Sequence, residues 1–344
     1  MKIISFSQAK DQTHFAKLFS ELPQTVRKDP YRVGLLPAEA WLGFLRHGIP
    51  VDSDFFLAEH EGKTLGRVGV SRSQNRPDAG YVGFFEVDLG ADFESVGLAL
   101  LTAAENWLKA KGARKIHGPV NLNTWFAYRF RLASPDPLSF AWEPINPPEY
   151  PELFEKSGFT VDMNYHSQGW EKPEAAEQLL KAMAPAFDKA KAAGFEFKLI
   201  SGSEIKPEDM QQIYEISIHS FQDNYLYEPI TFEMFQRLYY PLLKRGELIL
   251  STMISDAHGK NVAFMFSFLE KDSIVMKTTA VLPEARGKGL SNAVLYFMIQ
   301  AAMARGIFKI IHPLIQSGNL SGEHGKKSTH DWRHEYVLYA KTIG

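Results

Sequence analysis

The chain has 344 residues, 45% of them apolar and 23% charged, with a net charge of −2 and no cysteine. That length suits two domains, each able to bury its own core, and the near-neutral charge argues against an electrostatic nucleic-acid or membrane binder. Without cysteine there is no disulfide, no thiolate zinc site and no cysteine nucleophile.

The opening stretch, MKIISFSQAKDQTHF, turns polar too soon for a signal peptide. No apolar run approaches the ~18 residues that span a bilayer, so a cytoplasmic location is expected. A short strand, IISFS, leads into two helical patterns, DQTHFAKLFSEL and LPAEAWLGFLRHG. The segments DFFLAEHEGKTLGRVGVSRS and AGYVGFFEVDLG alternate as strands, with EGK as a turn. A long amphipathic helix follows, opened by Asp92 and closed by Gly112, and RKIHGPV is a strand after it.

The second half repeats this order. FEFKLIS is a strand, PEDMQQIYEISIHSFQ and TFEMFQRLYYPLLKRG are helices, and ELILSTMISD, NVAFMFSFLE and DSIVMKTTAVL are strands. The helix SNAVLYFMIQAAMARG and the strand FKIIHPLIQ complete the unit. The pattern predicts an internal duplication of an α+β (α/β) unit. Each copy is expected to be a mixed, mostly antiparallel sheet flanked by helices. The expected boundaries are 1–172 for the first domain, 173–194 for a polar, alanine-rich connector helix, and 195–344 for the second domain.

The junction VLPEARGKGLSNAVL places Arg286, Gly287, Lys288 and Gly289 between a strand and the start of a helix. A helix N-terminus leaves N–H groups unpaired and carries partial positive charge, and glycines let an anion approach the backbone. Together they suit a phosphate cradle, against the plainer reading of a turn with solvated basic residues. A dinucleotide G-x-G-x-x-G is lacking. LSGEHGKKST fails as a Walker A loop, because Leu320 and Lys327 stand where glycine and Ser or Thr belong.

VLPEARGKGLSNAVL resembles the [RQ]-x-x-G-x-[GA] signature of the GNAT superfamily, the acyl-CoA-dependent N-acyltransferases. Arg286 takes the first position, Gly289 the fourth, and Ser291, small but a departure, replaces the usual Gly or Ala at the sixth. In the first half the matching junction, EVDLGADFESVGLALL, has no R-G-x-G and is acidic at Asp88, Asp92 and Glu94. Yet NPPEYPELFEKSGF resembles the family's late motif, N-x-x-A-x-x-L-Y-E-K-x-G-F, with Phe154 in the tyrosine's place. The resemblance therefore implies two tandem GNAT-like domains with a degenerate first copy.

The resemblance further implies that the second copy moves an acyl group from acetyl-CoA or another acyl-CoA to a small-molecule or peptide amine. The N-terminal copy would help shape the acceptor cleft. No metal, nucleic acid or membrane is implied. The loop residues Arg286, Gly287, Lys288, Gly289, Leu290, Ser291 and Asn292 would grip the diphosphate, with Asn319 nearby. The strand Thr279, Ala280 and Val281 would pair with the pantetheine arm, and a backbone N–H would polarise the thioester.

No Glu or Asp lies inside SIVMKTTAV, where Lys277 stands instead. His324 offers a base or acid, with an exposed helix histidine as the plainer reading. Tyr336 and Tyr339 offer a proton for the leaving thiolate, with core packing as the plainer reading; Tyr339 and His324 are the catalytic candidates. His330 and His334 have helical metal spacing without an evident third ligand. HGPVNLNTW reads as a proline-rigid turn with an interface role. Two other readings are a non-catalytic CoA-binding regulator and a tRNA-dependent aminoacyltransferase of cell-wall peptide synthesis.

Overall fold

The computed structural model describes residues 1–28, 51–90, 92–133, 139–201, 204–243, 250–318 and 330–344. It divides into two compact units. Unit 1 is Met1–Asn164 with Glu335–Gly344, and unit 2 is Tyr165–His334. The helical pattern predicted over 36–48 lies outside the described residues.

In unit 1 the strands are β1 (Lys2–Ser5), β2 (Ser53–His60), β3 (Lys63–Arg72), β4 (Ala79–Val87) and β5 (Lys115–Gly118). They lie side by side in that order. All pairs are antiparallel except β4 with β5, which are parallel from Ala79 opposite Lys115 to Tyr81 opposite His117. A two-residue strand, β6 (Phe130–Arg131), pairs with residues 336–337.

Helices α1 (Gln12–Val26) and α2 (Phe93–Ala110) pack on this sheet. In α2 the apolar residues Val96, Leu100, Leu101, Ala104 and Leu108 recur at helical spacing and all are buried. Asp92 takes the predicted position before α2, but its side chain makes no cap bond. Gly112 ends the helix in the left-handed region, as a terminal glycine should. A short helix, α3 (Glu149–Lys156), carries Tyr150, Leu153 and Phe154 into the same core.

In unit 2 the last residues of β7 (Thr160–Trp170) pair with β12 (Lys309–Gln316). Beyond it come β11 (Ser273–Val281), β10 (Asn261–Glu270), β9 (Leu250–Ser255) and β8 (Glu196–Ser201). Four helices accompany the sheet: α4 (Pro173–Ala192), α5 (Pro207–Phe221), α6 (Phe232–Leu243) and α7 (Leu290–Met303). α4 packs along α7, burying Ala176, Leu179 and Met183 in a core shared with Ala293, Val294 and Met298.

The expected boundaries differ from this division in two ways. The helix expected as a connector is part of unit 2, because its apolar stripe is buried against α7. The last ten residues belong to unit 1. They form most of β13 (Trp332–Thr342), where Tyr339 lies opposite Gly118 and Thr342 opposite Lys115. Tyr336, Val337, Leu338 and Tyr339 are almost wholly buried there. The segment HDWRH enters this strand, so His330 and His334 do not share a helix face; His334 is buried with its ring 4.6 Å from that of Trp332.

Candidate active site

The strand β11 approaches the site with an irregularity. Opposite β10 the register runs from Phe268–Val275 to Phe266–Thr278, so β11 holds an extra residue at Met276–Lys277. Its parallel pairing with β12 covers only Ser273–Val275. Beyond that point the β12-side edge of β11 pairs with no strand among the described residues. On the other side Leu282 N–H donates to Val262 O at 2.9 Å. Antiparallel bonding alternates along a strand, so Ala280 and Thr278 also address β10 while Thr279 and Val281 turn their main-chain groups to the free edge.

The chain then makes a single 3₁₀ turn over Pro283–Ala285, started by the fixed φ of Pro283. Gly287 and Gly289 come next, with φ of 75° and 78°. Any other residue would be strained there. A Cβ on Gly287 would meet nothing within 4 Å, and one on Gly289 would lie 3.7 Å from Ala186 Cβ. The bonding of α7 opens with Ala293 N–H donating to Gly289 O at 3.1 Å. The N–H groups of Leu290, Ser291 and Asn292 precede that first bond and are free of the helix ladder. No side chain caps this end.

Two expected contributors have other commitments. Arg286 N–H donates to Pro283 O at 3.2 Å, so this amide is already engaged in the turn. The Arg286 side chain turns to α5, donating to Ser220 O at 2.8 Å and pairing with Asp223 at 3.3 Å. Lys288 rests its ammonium 5.5 Å from the Phe195 ring centre. Ala280 and Leu290 bury their side chains in the core and bring only main chain to the site. Sequence reasoning missed Ser220, Asp223, Ala186 and Phe195, which lie far from the loop in the chain. His324 and Asn319 lie outside the described residues.

Tyr339 belongs to unit 1, whereas the loop belongs to unit 2. Its hydroxyl donates to Glu155 at 2.8 Å, and burial followed by that carboxylate raises its pKa. Tyr336 donates to Glu143, a buried carboxylate also paired with Arg131 at 3.3 Å. Both hydroxyls therefore serve the packing of unit 1.

The corresponding corner of unit 1 is closed by its own side chains. Its β4 carries the same irregularity, with register running from Gly69–Gly83 to Arg67–Glu86. Position for position, Val87 matches Thr279. Val87 N–H donates to the Tyr150 hydroxyl at 3.0 Å, and that hydroxyl lies 3.1 Å from Val87 O. Phe84 N–H donates to Asn121 Oδ1 at 2.6 Å. A Cβ on Gly83 would lie 2.2 Å from Val120 O, so backbone packs on backbone there.

The turn into the helix is also shorter. Phe93 opens α2 seven residues after Glu86, whereas Leu290 opens α7 twelve residues after Thr278. Within it Gly90 N–H donates to Asp88 Oδ1 at 3.0 Å, so a carboxylate already occupies an amide.

Behind this closed edge Glu86 is buried and held by both Nε and Nη2 of Arg27. Arg67, fully buried, donates to Phe19 O, and its guanidinium lies 4.7 Å from the Phe19 ring centre. Desolvation lowers the Arg67 pKa to about 10, with Glu86 opposing. Burial, then Glu86, drives the Tyr150 pKa far above its ordinary value.

Residues 186–315 match the family model described as an acetyltransferase (GNAT) domain. No curated protein matches the sequence significantly. Among solved structures, a tandem GNAT protein from the clavulanic acid biosynthesis pathway superposes with a TM-score of 0.57 at 12% identity, covering 100% of this chain and 98% of that one. A GCN5-related N-acetyltransferase from Sphaerobacter thermophilus gives 0.52 at 16% identity, covering 99% and 95%. A conserved protein of unknown function from Enterococcus faecalis V583, titled a probable N-acyltransferase, gives 0.61 at 8%, covering 99% and 72%. The chain has a tandem GNAT fold. The stretch that matches the GNAT domain model lies in the second half.

Proposed function

We propose that unit 2 is an N-acyltransferase domain that moves an acyl group, acetyl or another, from CoA to an amine, and that unit 1 is a degenerate copy. The observation that carries the reading is the loop itself: two left-handed glycines lead into a helix start without a side-chain cap, beside a strand edge that no strand covers among the described residues. These residues fit a diphosphate joined to an extended amide-bearing arm. The N–H groups of Gly287 to Asn292 would hold the phosphate oxygens, aided by the helix dipole. Thr279 and Val281 would bond the arm's amides as an added strand does.

The chemistry asks little more of the chain. The neutral amine nitrogen attacks the thioester carbonyl carbon, the carbon–sulfur bond breaks, and the thiolate leaves with its electron pair. A strand N–H aimed at the carbonyl oxygen stabilises the charge that develops there. The proton lost by the amine balances the thiolate. Free amides on β11 suit the oxygen; the acceptor enters as a small-molecule or peptide amine.

A CoA titration, with a thiol-release assay on a panel of primary amines, tests the reading. Acetyl-CoA should raise the melting temperature, because a ligand held only by the native state stabilises it. It should also release thiol with at least one amine. Binding without release from any amine would instead support a non-catalytic CoA-binding regulator.

A further inference from the structure

Of the loop's two charged side chains, that of Arg286 is committed to α5. Arg286 divides its guanidinium between Ser220 O, at 2.8 Å, and Asp223, at 3.3 Å. Ser220 is in the last turn of α5, where carbonyls lack intrahelical partners and the helix end is partially negative. Arg286 is thus a cap on the end of α5, and its planar fork suits a carbonyl and a carboxylate together.

Past the end of α5 the chain folds tightly on itself. Asn224 N–H donates to Phe221 O at 2.8 Å, and Tyr227 N–H to Asn224 O at 3.0 Å. Leu226 is buried with φ of 57°, and Glu228 is buried two residues later. Tyr214 Oη donates to Ile230 O at 2.9 Å, and Thr231 then accepts the Met234 and Phe235 amides at the start of α6. The segment is therefore bonded to both α5 and the start of α6, and α5 itself packs on β10 and β11.

We infer that Arg286 is a positioning residue. It links occupancy of the amides at Gly287–Asn292 to the order of residues 222–231, a wall of unit 2 separate from the phosphate loop. This rests on the CoA-binding role proposed for the loop. Arg286 lies within the loop, and its side chain is bonded to the end of α5. Any shift of the loop onto a diphosphate would act on those bonds. Only such a difference between free and bound states can couple the two places.

The test is amide hydrogen exchange over residues 222–231, with and without CoA, in the full chain and in Arg286→Gln, Arg286→Lys and Asp223→Ala. CoA affinity is measured on each by titration. In the parent chain CoA should slow exchange of the segment on the order of fivefold. Arg286→Gln and Asp223→Ala should remove that CoA-dependent slowing while still binding CoA. Arg286→Lys, which keeps a cation beside Asp223, should restore part of it. A merely static cap would speed exchange equally with and without CoA, which overturns the inference.

A direct phosphate role for Arg286 also overturns it. In that case Arg286→Gln loses at least tenfold in CoA affinity and Asp223→Ala binds CoA more tightly. If the parent chain binds no CoA at all, the CoA reading and this inference fall together. If it binds CoA and the segment's exchange is unmoved, the inference alone falls.

Discussion

At the scale of single residues, Gly289 is the most informative position. Gly289→Glu forces a side chain into a left-handed position and brings a carboxylate to the start of α7. The nearest neighbour of its Cβ, Ala186, is at ordinary contact distance, so the fold should survive with a loss of about 1–3 kcal/mol. CoA affinity should fall by at least about a hundredfold from like-charge repulsion and blocked amides. Calorimetric titration with a melting curve separates the two effects. Gly97, in the helix of the first copy, is unsuitable as a control: a Cβ there would lie 2.2 Å from Leu153 Cδ2, inside the core. Ser95→Glu, on the exposed face of α2, should leave CoA binding unchanged.

His117 supplies a pH prediction. It is buried, with Nδ1 3.0 Å from Asp162 Oδ2, and desolvation outweighs Asp162 to lower its pKa. The unfolded chain then binds the proton more readily below about pH 6.5. By linkage, stability from this residue is present above that pH and is lost as pH falls below it. Urea unfolding at pH 7.5 and 5.5 checks the sign. His117→Gln should show a smaller drop between the two than the parent chain, and an equal drop would contradict the argument.

At the scale of elements, the proposed function assigns binding to one copy by the difference between the two β–α junctions. Tyr150→Phe deletes the hydroxyl that satisfies Val87 and should lower stability by about 1–3 kcal/mol, because buried main-chain groups are left unpaired. Urea unfolding measures this. The variant should not gain a CoA site, because its turn lacks the longer glycine loop. Arg27→Ala should cost more, about 3–5 kcal/mol, since it leaves Glu86 buried without its main partner.

The glycine loop was legible in the sequence because the requirement is local: left-handed positions just before a helix select glycine, and both lie within four residues. The closure of unit 1 was not, because Tyr150 meets a strand 63 residues away and nothing in NPPEYPELFEKSGF names its partner. Arg286 misled for the same reason. Its basic charge beside glycines suits phosphate, and only the fold reveals Ser220 and Asp223.

At the scale of the whole molecule, the repeated order of elements was readable, and the assignment of the final strand was not. An apolar alternation such as EYVLYAK fits any half-buried sheet edge, and register with β5 is a tertiary choice. Deleting residues 335–344 should therefore unfold unit 1, which would lose Tyr336, Val337, Leu338 and Tyr339 from its interior. Residues 1–172 expressed alone should fail to fold cooperatively for the same reason. Residues 195–344 alone should also fail, having lost α4 and the β7 residues that pair with β12. Circular dichroism melts of the pieces check this, and a sharp transition in 1–172 would contradict the assignment.

One titration bears most directly on the central claim. Calorimetry of CoA into the full chain should show a single site per chain in the parent and in Ser95→Glu, and none in Gly289→Glu. Two sites in the parent, or an undiminished site in Gly289→Glu, would place the cofactor outside the α7 loop and contradict the account.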